Sequence, residues 1–561
     1  MKTSATLARF KSEALLRETQ FVIGIVAVGF IFWRLQNATS AICCGDFDGY
    51  YHIKWTQFLW NSLKTHHTIP AFPWLPLTTL NPKQYVDHHF LFHVFQMPFA
   101  TFKDARVGAK FASALFGGLA VVSCYWLLIR FRIRYVLVWL VALLACSHPF
   151  LFRMNMAKAP PFTIIFLVIS IYFLFKRRYW PLLPIGFLFT ETYDVFPLLL
   201  LAVLAWIAVI GWTERRFEWR PLVWVLPGIA AGLVINPYFP KNLYLLYEHA
   251  RLKLTLDGFN TKVGGEWYPY SSWEFLGNSV VACIAMVVGY VALDPSDRER
   301  GHQSFFFAIL STALLIMIAR WRRMAEYWPP FAVMFAAFSL QPWLAGVRST
   351  LTTRLPTDVM EELEPFLDRF TVSENAEDDN LREWIKNIGV AFVALLLCVA
   401  LFFNLWATRD EIRQSEPHNY YRRGAEWLQQ HVPAGHIIFN TDWDDFPRLF
   451  YYDPDHYYVT GLDPSYLYDK SPALSQLYER ITLGQENDPA PLIRDRFGAT
   501  YVFSDNNHQD FFDKARDSGW FDIVYEDEEC TIMRIREEKE SSVDEPDDFP
   551  IGSSIGNVNQ E

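Results

Sequence analysis

The sequence predicts a polytopic α-helical membrane protein that ends in a smaller α/β domain. Hydrophobic residues make up 52% and aromatic residues 17% of its 561 residues, which is more apolar surface than the core of one soluble domain can bury. Apolar segments of membrane-spanning length recur through the first 407 residues, and polar residues concentrate near the C-terminal end. We therefore expect a membrane domain followed by a soluble one.

The apolar segments define the membrane domain. A search with a window of about 19 residues finds about eleven of them, near residues 21–37, 107–129, 135–150, 161–175, 179–193, 195–212, 221–236, 273–293, 303–319, 327–346 and 387–407. No small-residue cleavage site follows the first segment, so we expect a retained transmembrane helix there and not a signal peptide.

Short basic loops set the expected orientation. With residues 1–20 on the cytoplasmic side, the loops RFRIR (130–134), KRR (176–178), ERRFEWR (214–220) and DRERGH (297–302) also lie inside, as the positive-inside rule requires. Residues 21–407 then form the membrane domain, with a large first outside loop at 38–106, and residues 408–536 form an extracytoplasmic domain. An acidic inside loop covers 348–386, and residues 537–561 are expected to be a disordered acidic tail.

Charge and cysteine content argue against two kinds of function. The net charge of -10 lies mainly in the acidic loop and the acidic tail, so nucleic-acid binding is not expected. The seven cysteines show no spacing typical of metal ligands, and most are expected to be small apolar residues of helices.

The predicted topology places six polar clusters on the outer side of the membrane. They are Asp46 with Asp48, DHH at 87–89, RMNMAK at 153–158, ETYD at 191–194, the loop with Glu266, and RWRR at 320–323. Because all six face one compartment at the membrane surface, we expect them to converge on one cleft. An enzyme with a lipid-linked substrate would need its polar residues there.

The first cluster, DFDGYYH, offers carboxylates for acid–base or metal chemistry. Asp46 and Asp48 share a face of an extended chain, so they could hold a divalent cation such as Mg²⁺ or Mn²⁺, or one of them could act as a general base. Asp48 and His52 share a face if a helix begins at Asp48. The alternative is that Asp48 caps an interfacial helix with a stripe from Tyr51 to Ser62, which does not explain Asp46.

The second cluster, YVDHHFLFHVF, holds three histidines and one carboxylate. His89 and His93 have helical i,i+4 spacing, but only Asp87 lies near them and no HExxH pattern occurs. We therefore expect His88 and His89 to line a polar cleft as titratable groups, or Asp87 to cap a helix, in preference to a zinc site.

Two basic clusters on the outer side predict a phosphate site. They contain Arg320, Arg322 and Arg323 after an apolar segment, and Arg153 and Lys158 in an earlier loop. The planar guanidinium group suits a phosphate or diphosphate. Arg320 and Arg323 would share a helix face, and Glu326 could neutralise Arg322 four residues away. The alternative of membrane anchors is weakened because positive charge on the outer side opposes the orientation rule.

Together these motifs resemble the GT-C superfamily of polyprenol-dependent glycosyltransferases. The acidic DFDGYYH in the first outside loop, the outside arginine in RWRRMAEYWPP and the extracytoplasmic C-terminal domain are similar to those of oligosaccharyltransferase catalytic subunits. The resemblance implies that Asp46 and Asp48 supply the catalytic carboxylate and a metal ligand. It also implies that Arg322 or Arg323 contacts the lipid-linked phosphate.

Other motifs of that family match only in part. Its Trp-Trp-Asp motif, which recognises the acceptor Ser/Thr, corresponds here to Trp443, Asp444 and Asp445, with Asp442 in place of the first Trp. Recognition of a protein acceptor sequence is therefore in doubt.

The second acidic motif of the family has no clear counterpart, because RMNMAK holds no carboxylate. Asp194 or Glu191 could take its place, and Glu266 in GGEWYPY matches the later acidic loop residue. Metal dependence stays open.

The C-terminal domain alternates helix-like and strand-like runs. NYYRRGAEWLQQH and HQDFFDKARDSG predict helices, HIIFN and TYVFS predict strands, and FDIVYEDEECTIMRI predicts a hairpin. NTDWDDFP follows a strand, where open α/β sheets bind ligands, or forms a turn ahead of a short helix. The aromatic segment DPDHYYVTGLDPSYLY is suited to stack on a sugar or to pack against the membrane rim.

The sequence therefore predicts a GT-C-type glycosyltransferase of the bacterial plasma membrane. It would move a sugar from a polyprenyl-phosphate-linked donor to a glycan, lipid or protein acceptor outside the cell. Asp46 or Asp48 would act as general base, and Arg320, Arg322 or Arg323 would stabilise the departing phosphate. The alternatives are an oligosaccharyltransferase acting on protein and a transporter or flippase. The sequence shows no internal repeat and its charges cluster outside, which favours an enzyme.

Overall fold

Helices form most of the first 413 residues. The computed structural model describes residues 2–44, 47–253, 264–294, 301–344 and 376–539. The helices in this part are α1 (Lys2–Gln36), α2 (Asp48–Thr65), α3 (Phe90–Ala100), α4 (Ala105–Arg130), α5 (Val136–Ala145), α6 (His148–Met154), α7 (Pro160–Phe175), α8 (Leu182–Thr192), α9 (Pro197–Glu214), α10 (Arg220–Ile235), α11 (Lys241–Lys253), α12 (Ser272–Asn278), α13 (Val280–Ala292), α14 (Gly301–Ile318), α15 (Trp328–Leu344) and α16 (Ala376–Arg413). Short 3₁₀ helices occupy Gly265–Trp267 and Arg322–Glu326.

The apolar helices are those of an integral membrane protein. Within the described ranges, 5 helices are long and apolar enough to cross a bilayer, or up to 7 if the bent pairs α5–α6 and α12–α13 each count as one. Each predicted apolar segment contains a helix, but α7, α8, α10 and α15 have only 16, 11, 16 and 17 residues. Such helices are shorter than the bilayer core of about 30 Å, so the predicted count of about eleven spans is not confirmed.

The C-terminal domain is a small α/β domain, as predicted. Its helices are α17 (Arg422–His431), α18 (Phe446–Tyr452), α19 (Ser465–Lys470), α20 (Pro472–Thr482), α21 (Pro489–Leu492) and α22 (Gln509–Ser518), and its strands are β1 (Ile437–Asn440), β2 (Tyr457–Tyr458), β3 (Ala499–Asp505), β4 (Phe521–Glu526) and β5 (Cys530–Ile535). The strand order is β2-β1-β3-β5-β4. The first three strands are parallel, and β4 and β5 form the predicted antiparallel hairpin.

An aromatic cluster holds the C-terminal domain against the first outside loop. Trp55 of α2, Phe72 and Trp74 of the loop, and Phe446 and Phe450 of α18 are all buried together. Trp74 Nε1 donates a hydrogen bond to the Pro454 carbonyl at 2.7 Å. Tyr51, Trp55 and Leu59 of the predicted stripe on α2 are thus buried by protein. Burial of such large apolar side chains is strongly favourable.

Two predicted features fall wholly or partly outside the described residues. The predicted inside loop at 348–386 is described only from residue 376 onward, and the predicted acidic tail only up to residue 539.

Candidate active site

One cavity lies between the membrane domain and the C-terminal domain. Its volume is about 100 Å³. It is lined by side chains from all six predicted outside clusters, from α11 and from the C-terminal domain: Asp48, Tyr51, His52, His88, His89, Lys158, Pro160, Tyr193, Asp194, His249, Glu266, Arg323, Leu462, Asp463 and Tyr466. Most of these residues stand in loops or at helix ends. The structure thus brings the distant clusters together in one place.

Asp48 forms an ion pair in this cavity. It is the first residue of α2, and Lys158 Nζ lies 2.7 Å from Asp48 Oδ2. Gly49 permits the close approach of the chains, because a Cβ there would lie 2.6 Å from Ile42 Cγ2 and 3.0 Å from Ala157 Cβ. The residue that precedes the helix is Phe47, so the capping alternative for Asp48 is wrong. Its carboxylate still lies in the first turn, where the helix dipole favours negative charge.

The described residues do not fit a cation site. Asp46 lies outside the described residues, and Asp48 is engaged by Lys158. Within the described ranges, no group of three His, Cys, Asp or Glu side chains is placed to hold a metal ion. Mg²⁺ or Mn²⁺ binding by Asp46 and Asp48 stays a prediction.

Arg323 is held in the cavity wall by a buried charge network. Its Nη1 lies 2.5 Å from Glu266 Oε1, and Arg153 Nη2 lies 2.5 Å from Glu266 Oε2. Arg153 also pairs with the buried Glu326, and Arg323 donates to the Tyr193 hydroxyl. Burial opposes ionisation of Glu266, but Arg323 and Arg153 hold its pKa well below the usual range. Of the predicted cations, Arg153 therefore does not line the cavity but pairs with Glu266, which does.

The other two arginines of RWRR lie outside the cavity. Arg322 Nη2 lies 3.2 Å from Glu274 Oε2, and its guanidinium stacks on Tyr270 at 4.4 Å from the ring centroid. The expected pair between Arg322 and Glu326 is wrong, because residues 322–326 form a 3₁₀ helix, in which side chains four apart do not align. Arg320 follows the end of α14, so it does not share a helix face with Arg323.

Histidines form a second group in the cavity. His52, His88 and His89 line it, and His93 lies buried behind His52. His93 does not pair with His89 as its spacing suggested, because His89 precedes α3 and the His93 ring turns toward His52 and Asp87. Burial, followed by the charges of neighbouring histidines, lowers the pKa of His89 well below its ordinary value.

Asp194 is the carboxylate of the ETYD cluster that reaches the cavity. His249 Nδ1 lies 3.3 Å from Asp194 Oδ2. Burial raises the pKa of Asp194, but the hydrogen bond with His249 and the charge of His88 outweigh it and lower the pKa below the usual range. Glu191, the other candidate of this cluster, accepts a hydrogen bond from Asn236 at 3.1 Å.

The acidic segment after β1 occupies a different place in the C-terminal domain. Trp443, Asp444 and Asp445 lie at the carboxyl end of β1, between β1 and α18. Asp445 is buried, and burial together with Asp505 and Asp442 raises its pKa well above the usual range. From the C-terminal domain, the cavity is lined by Leu462, Asp463 and Tyr466, which belong to the aromatic segment DPDHYYVTGLDPSYLY.

Sequence reasoning missed several residues of this wall. His249 lies on a helix, α11, that carries no recognisable motif. Pro160, Tyr193, Asp463 and Tyr466 lie in segments in which the sequence analysis singled out other residues. Pro160 and Tyr193 lie beside or within a predicted outside cluster, whereas His249, Asp463 and Tyr466 are far from every cluster in sequence, so no sequence signal identifies them.

Comparison with known proteins supports the fold. No protein-family model and no curated protein sequence matches the chain. The Archaeoglobus fulgidus oligosaccharyltransferase in its apo form is similar, with a TM-score of 0.54 and 12% identity over 86% of this chain and 69% of that chain. The same enzyme tethered to an acceptor peptide with the NVT sequon has a TM-score of 0.52 at 12% identity, covering 90% of this chain and 72% of that one.

A second enzyme has a similar structure. ArnT from Cupriavidus metallidurans in the apo state has a TM-score of 0.50 at 15% identity, over 92% of this chain and 98% of that chain. At such low identity the likeness concerns the fold alone. The chain shares the fold of these two enzymes, in agreement with the predicted fold class.

Proposed function

We propose that this protein is a membrane glycosyltransferase of the bacterial plasma membrane. It moves a sugar from a polyprenyl-phosphate-linked donor to an acceptor on the extracytoplasmic side. The observation that carries the proposal is the cavity, where the carboxylate of Asp48 and the cations Lys158 and Arg323 converge from separate segments. The GT-C fold supports it, since one similar structure is an oligosaccharyltransferase.

The cationic part of the cavity suits a lipid-linked phosphate. Arg323 is oriented by Glu266, and its buried Nε has no hydrogen-bond partner among the described residues. Because Arg323 lines the cavity, its guanidinium can donate to a ligand oxygen there. Arg323 follows α14 and Lys158 precedes α7. A phosphate bound to both would therefore keep its polyprenyl chain beside the apolar helices.

The chemistry needs stabilisation of the leaving phosphate and removal of a proton from the acceptor. When the bond between the anomeric carbon and the phosphate oxygen breaks, its electron pair stays on the phosphate, and Arg323 and Lys158 stabilise that charge. The acceptor hydroxyl attacks the anomeric carbon as it loses its proton. The resemblance places Asp48 on the acceptor side, and its ion pair with Lys158 couples that side to the phosphate side.

A glycan or lipid acceptor is favoured over a protein sequence. Trp443, Asp444 and Asp445 lie at the carboxyl end of β1, while the cavity is lined from the C-terminal domain by Leu462, Asp463 and Tyr466. The cavity lining therefore includes none of the side chains that would read an acceptor Ser/Thr.

The test is sugar transfer by the purified protein in lipid vesicles. Synthetic polyprenyl-phosphate sugars would be supplied with glycan, glycolipid and peptide acceptors, and release of polyprenyl phosphate would be measured with labelling of the acceptor. We expect transfer by the wild-type protein and its loss in Asp48→Asn and Arg323→Ala. Arg322→Lys serves as the matched control, because Arg322 pairs with Glu274 outside the cavity. Movement of intact donor across the vesicle membrane without cleavage would refute an enzyme and support a flippase.

A further inference from the structure

Three buried side chains lead from the cavity into the protein. His52 lines the cavity, and behind it lie His93 of α3 and Asp87 of the turn before α3. His52 Nδ1 is 2.8 Å from His93 Nε2, and His93 Nδ1 is 2.7 Å from Asp87 Oδ2. The three groups therefore form one continuous hydrogen-bonded chain.

The hydrogen bonds of Asp87 fix the protons of this chain. Trp55 Nε1 donates to Asp87 Oδ2 at 2.9 Å, and the His89 backbone N–H donates to Oδ1 at 3.0 Å. Burial raises the pKa of Asp87, but His93 and Trp55 outweigh it and keep the pKa below the usual range. Asp87 is thus a carboxylate that only accepts, so His93 donates from Nδ1 and, when neutral, accepts at Nε2. His52 then donates from Nδ1 and keeps a lone pair on Nε2.

We propose that His52 is the catalytic base of the transfer and that His93 and Asp87 form its buried proton relay. The proposal rests on the proposed function of the cavity. The acceptor O–H bond breaks as the acceptor oxygen bonds to the anomeric carbon, and the proton goes to His52 Nε2. The proton on His52 Nδ1 shifts toward His93 Nε2, which brings the positive charge closer to Asp87. The relay returns to its starting state when His52 gives the proton to water after product release.

The need for a relay follows from burial. Burial, followed by the charges of His93, Lys158 and His88, lowers the pKa of His52 well below its ordinary value, which favours the neutral ring. A buried imidazolium is costly unless a counter-charge compensates it, and Asp87 is the buried carboxylate that does so through His93. Asp48, one helical turn away on α2, is already engaged by Lys158.

The activity test compares relay variants with a matched buried pair. His52→Gln and Asp87→Asn should lower kcat about 100-fold or more while the KM for the donor stays close to normal. Asp453 and His456 form a second buried pair with a distance of 2.7 Å, in the C-terminal domain. Asp453→Asn should leave kcat per folded molecule unchanged. Wild-type kcat in both relay variants would overturn the proposal.

The pH dependence of transfer activity distinguishes a proton relay from a purely structural role, because only a relay should shift it. The groups that face His52 are His88, His89, His93 and Lys158 on neighbouring segments and Asp48 on its own helix. Protonation of His52 should cause the loss of activity at low pH. Because Asp87→Asn removes the counter-charge that favours the imidazolium, it should move this loss to lower pH. An unchanged profile in Asp87→Asn would contradict the relay.

Nitrogen-15 NMR of histidine-labelled wild-type protein tests the relay without an activity assay. We expect His52 to carry its proton on Nδ1, with its signal assigned by its absence in His52→Gln. A proton on Nε2 of His52 would overturn the relay. A wild-type protein that transfers no sugar would refute the proposed function instead, and the NMR result would still decide between a formed and an unformed relay.

Discussion

Replacing Arg323 by lysine should impair sugar transfer while the neighbouring change at Arg322 should not. The two residues are adjacent, yet Arg323 has 14% of its side chain exposed and lines the cavity, while Arg322 has 37% exposed and pairs with Glu274 outside it. Both substitutions keep the positive charge. The two positions differ in whether the arginine side chain lines the cavity, where it could contact a ligand.

The structure sets the size of the expected effect. Lysine at 323 can still pair with Glu266, so the buried carboxylate keeps a partner and the fold should be retained. It cannot supply a second N–H to a phosphate oxygen, and one charge-assisted hydrogen bond contributes about 1.5–3 kcal/mol. This corresponds to a loss of about 10- to 150-fold in turnover. Arg322→Lys perturbs an exposed pair worth less than about 1 kcal/mol, so turnover should stay within about twofold of the wild type.

The assay is turnover of purified, folded variants with a synthetic polyprenyl-phosphate sugar. Arg323→Ala provides a second comparison, since it removes the cation from the cavity while Arg153 still pairs with Glu266, so activity should fall further than stability. Equal losses in the two lysine variants, or a larger loss for Arg322→Lys, would refute the assignment of Arg323 to the phosphate.

Three further predictions concern the acidic side of the cavity. Gly49→Ala should lower both the thermal unfolding temperature and the transfer rate, because its Cβ would collide with Ile42 and Ala157; an unchanged unfolding temperature would show that the chains can separate freely. Asp48→Asn should keep that temperature yet lower transfer about 10- to 150-fold, because it weakens one charge-assisted contact with Lys158 of about 1.5–3 kcal/mol, and normal turnover would exclude a role for this pair in transfer. Because the pKa of Glu266 is lowered in the folded state, its stabilisation is complete above its unfolded pKa of about 4.3 and is lost as the pH falls below it. Glu266→Gln should therefore flatten the acid side of the stability curve measured by tryptophan fluorescence, and an unchanged curve would contradict the network.

The convergence of the polar clusters could be predicted because it follows from topology. Once the basic loops place alternate connections on one side, residues such as Asp48, Lys158 and Glu266 must lie near the same membrane surface. Hydrophobic patterning likewise located the helices and the strands of the C-terminal domain, because apolar periodicity reports directly on burial.

The orientation of single side chains could not be predicted from spacing. The spacing argument for Arg320, Arg322 and Glu326 assumed an α-helix, but α14 ends at Ile318 and a 3₁₀ turn follows. The same assumption paired His93 with His89, whereas the ring turns to His52 and Asp87 on other segments. Such contacts depend on tertiary packing, which local periodicity does not contain.

The two walls of the cavity should serve different substrates. A lipid-linked donor, as proposed, would approach from the membrane domain, whereas α19 of the C-terminal domain lines the cavity through Tyr466. The Tyr466 carbonyl accepts a hydrogen bond from the Thr79 N–H at 3.0 Å, and Asp469 lies 3.2 Å from Arg251, so α19 is fixed against the membrane domain. The Tyr466 ring lines the cavity, and we expect it to contact the acceptor.

Tyr466→Ala should therefore raise the KM for the acceptor and leave the KM for the donor unchanged. Loss of one aromatic contact of about 1.5 kcal/mol corresponds to about a tenfold increase. Tyr466→Phe keeps the ring and should bind the acceptor nearly as well as the wild type. Both constants would be measured by varying one substrate at saturation of the other, on protein corrected for its folded fraction. A rise in the donor KM alone would show that the lipid-linked sugar, and not the acceptor, lies against α19.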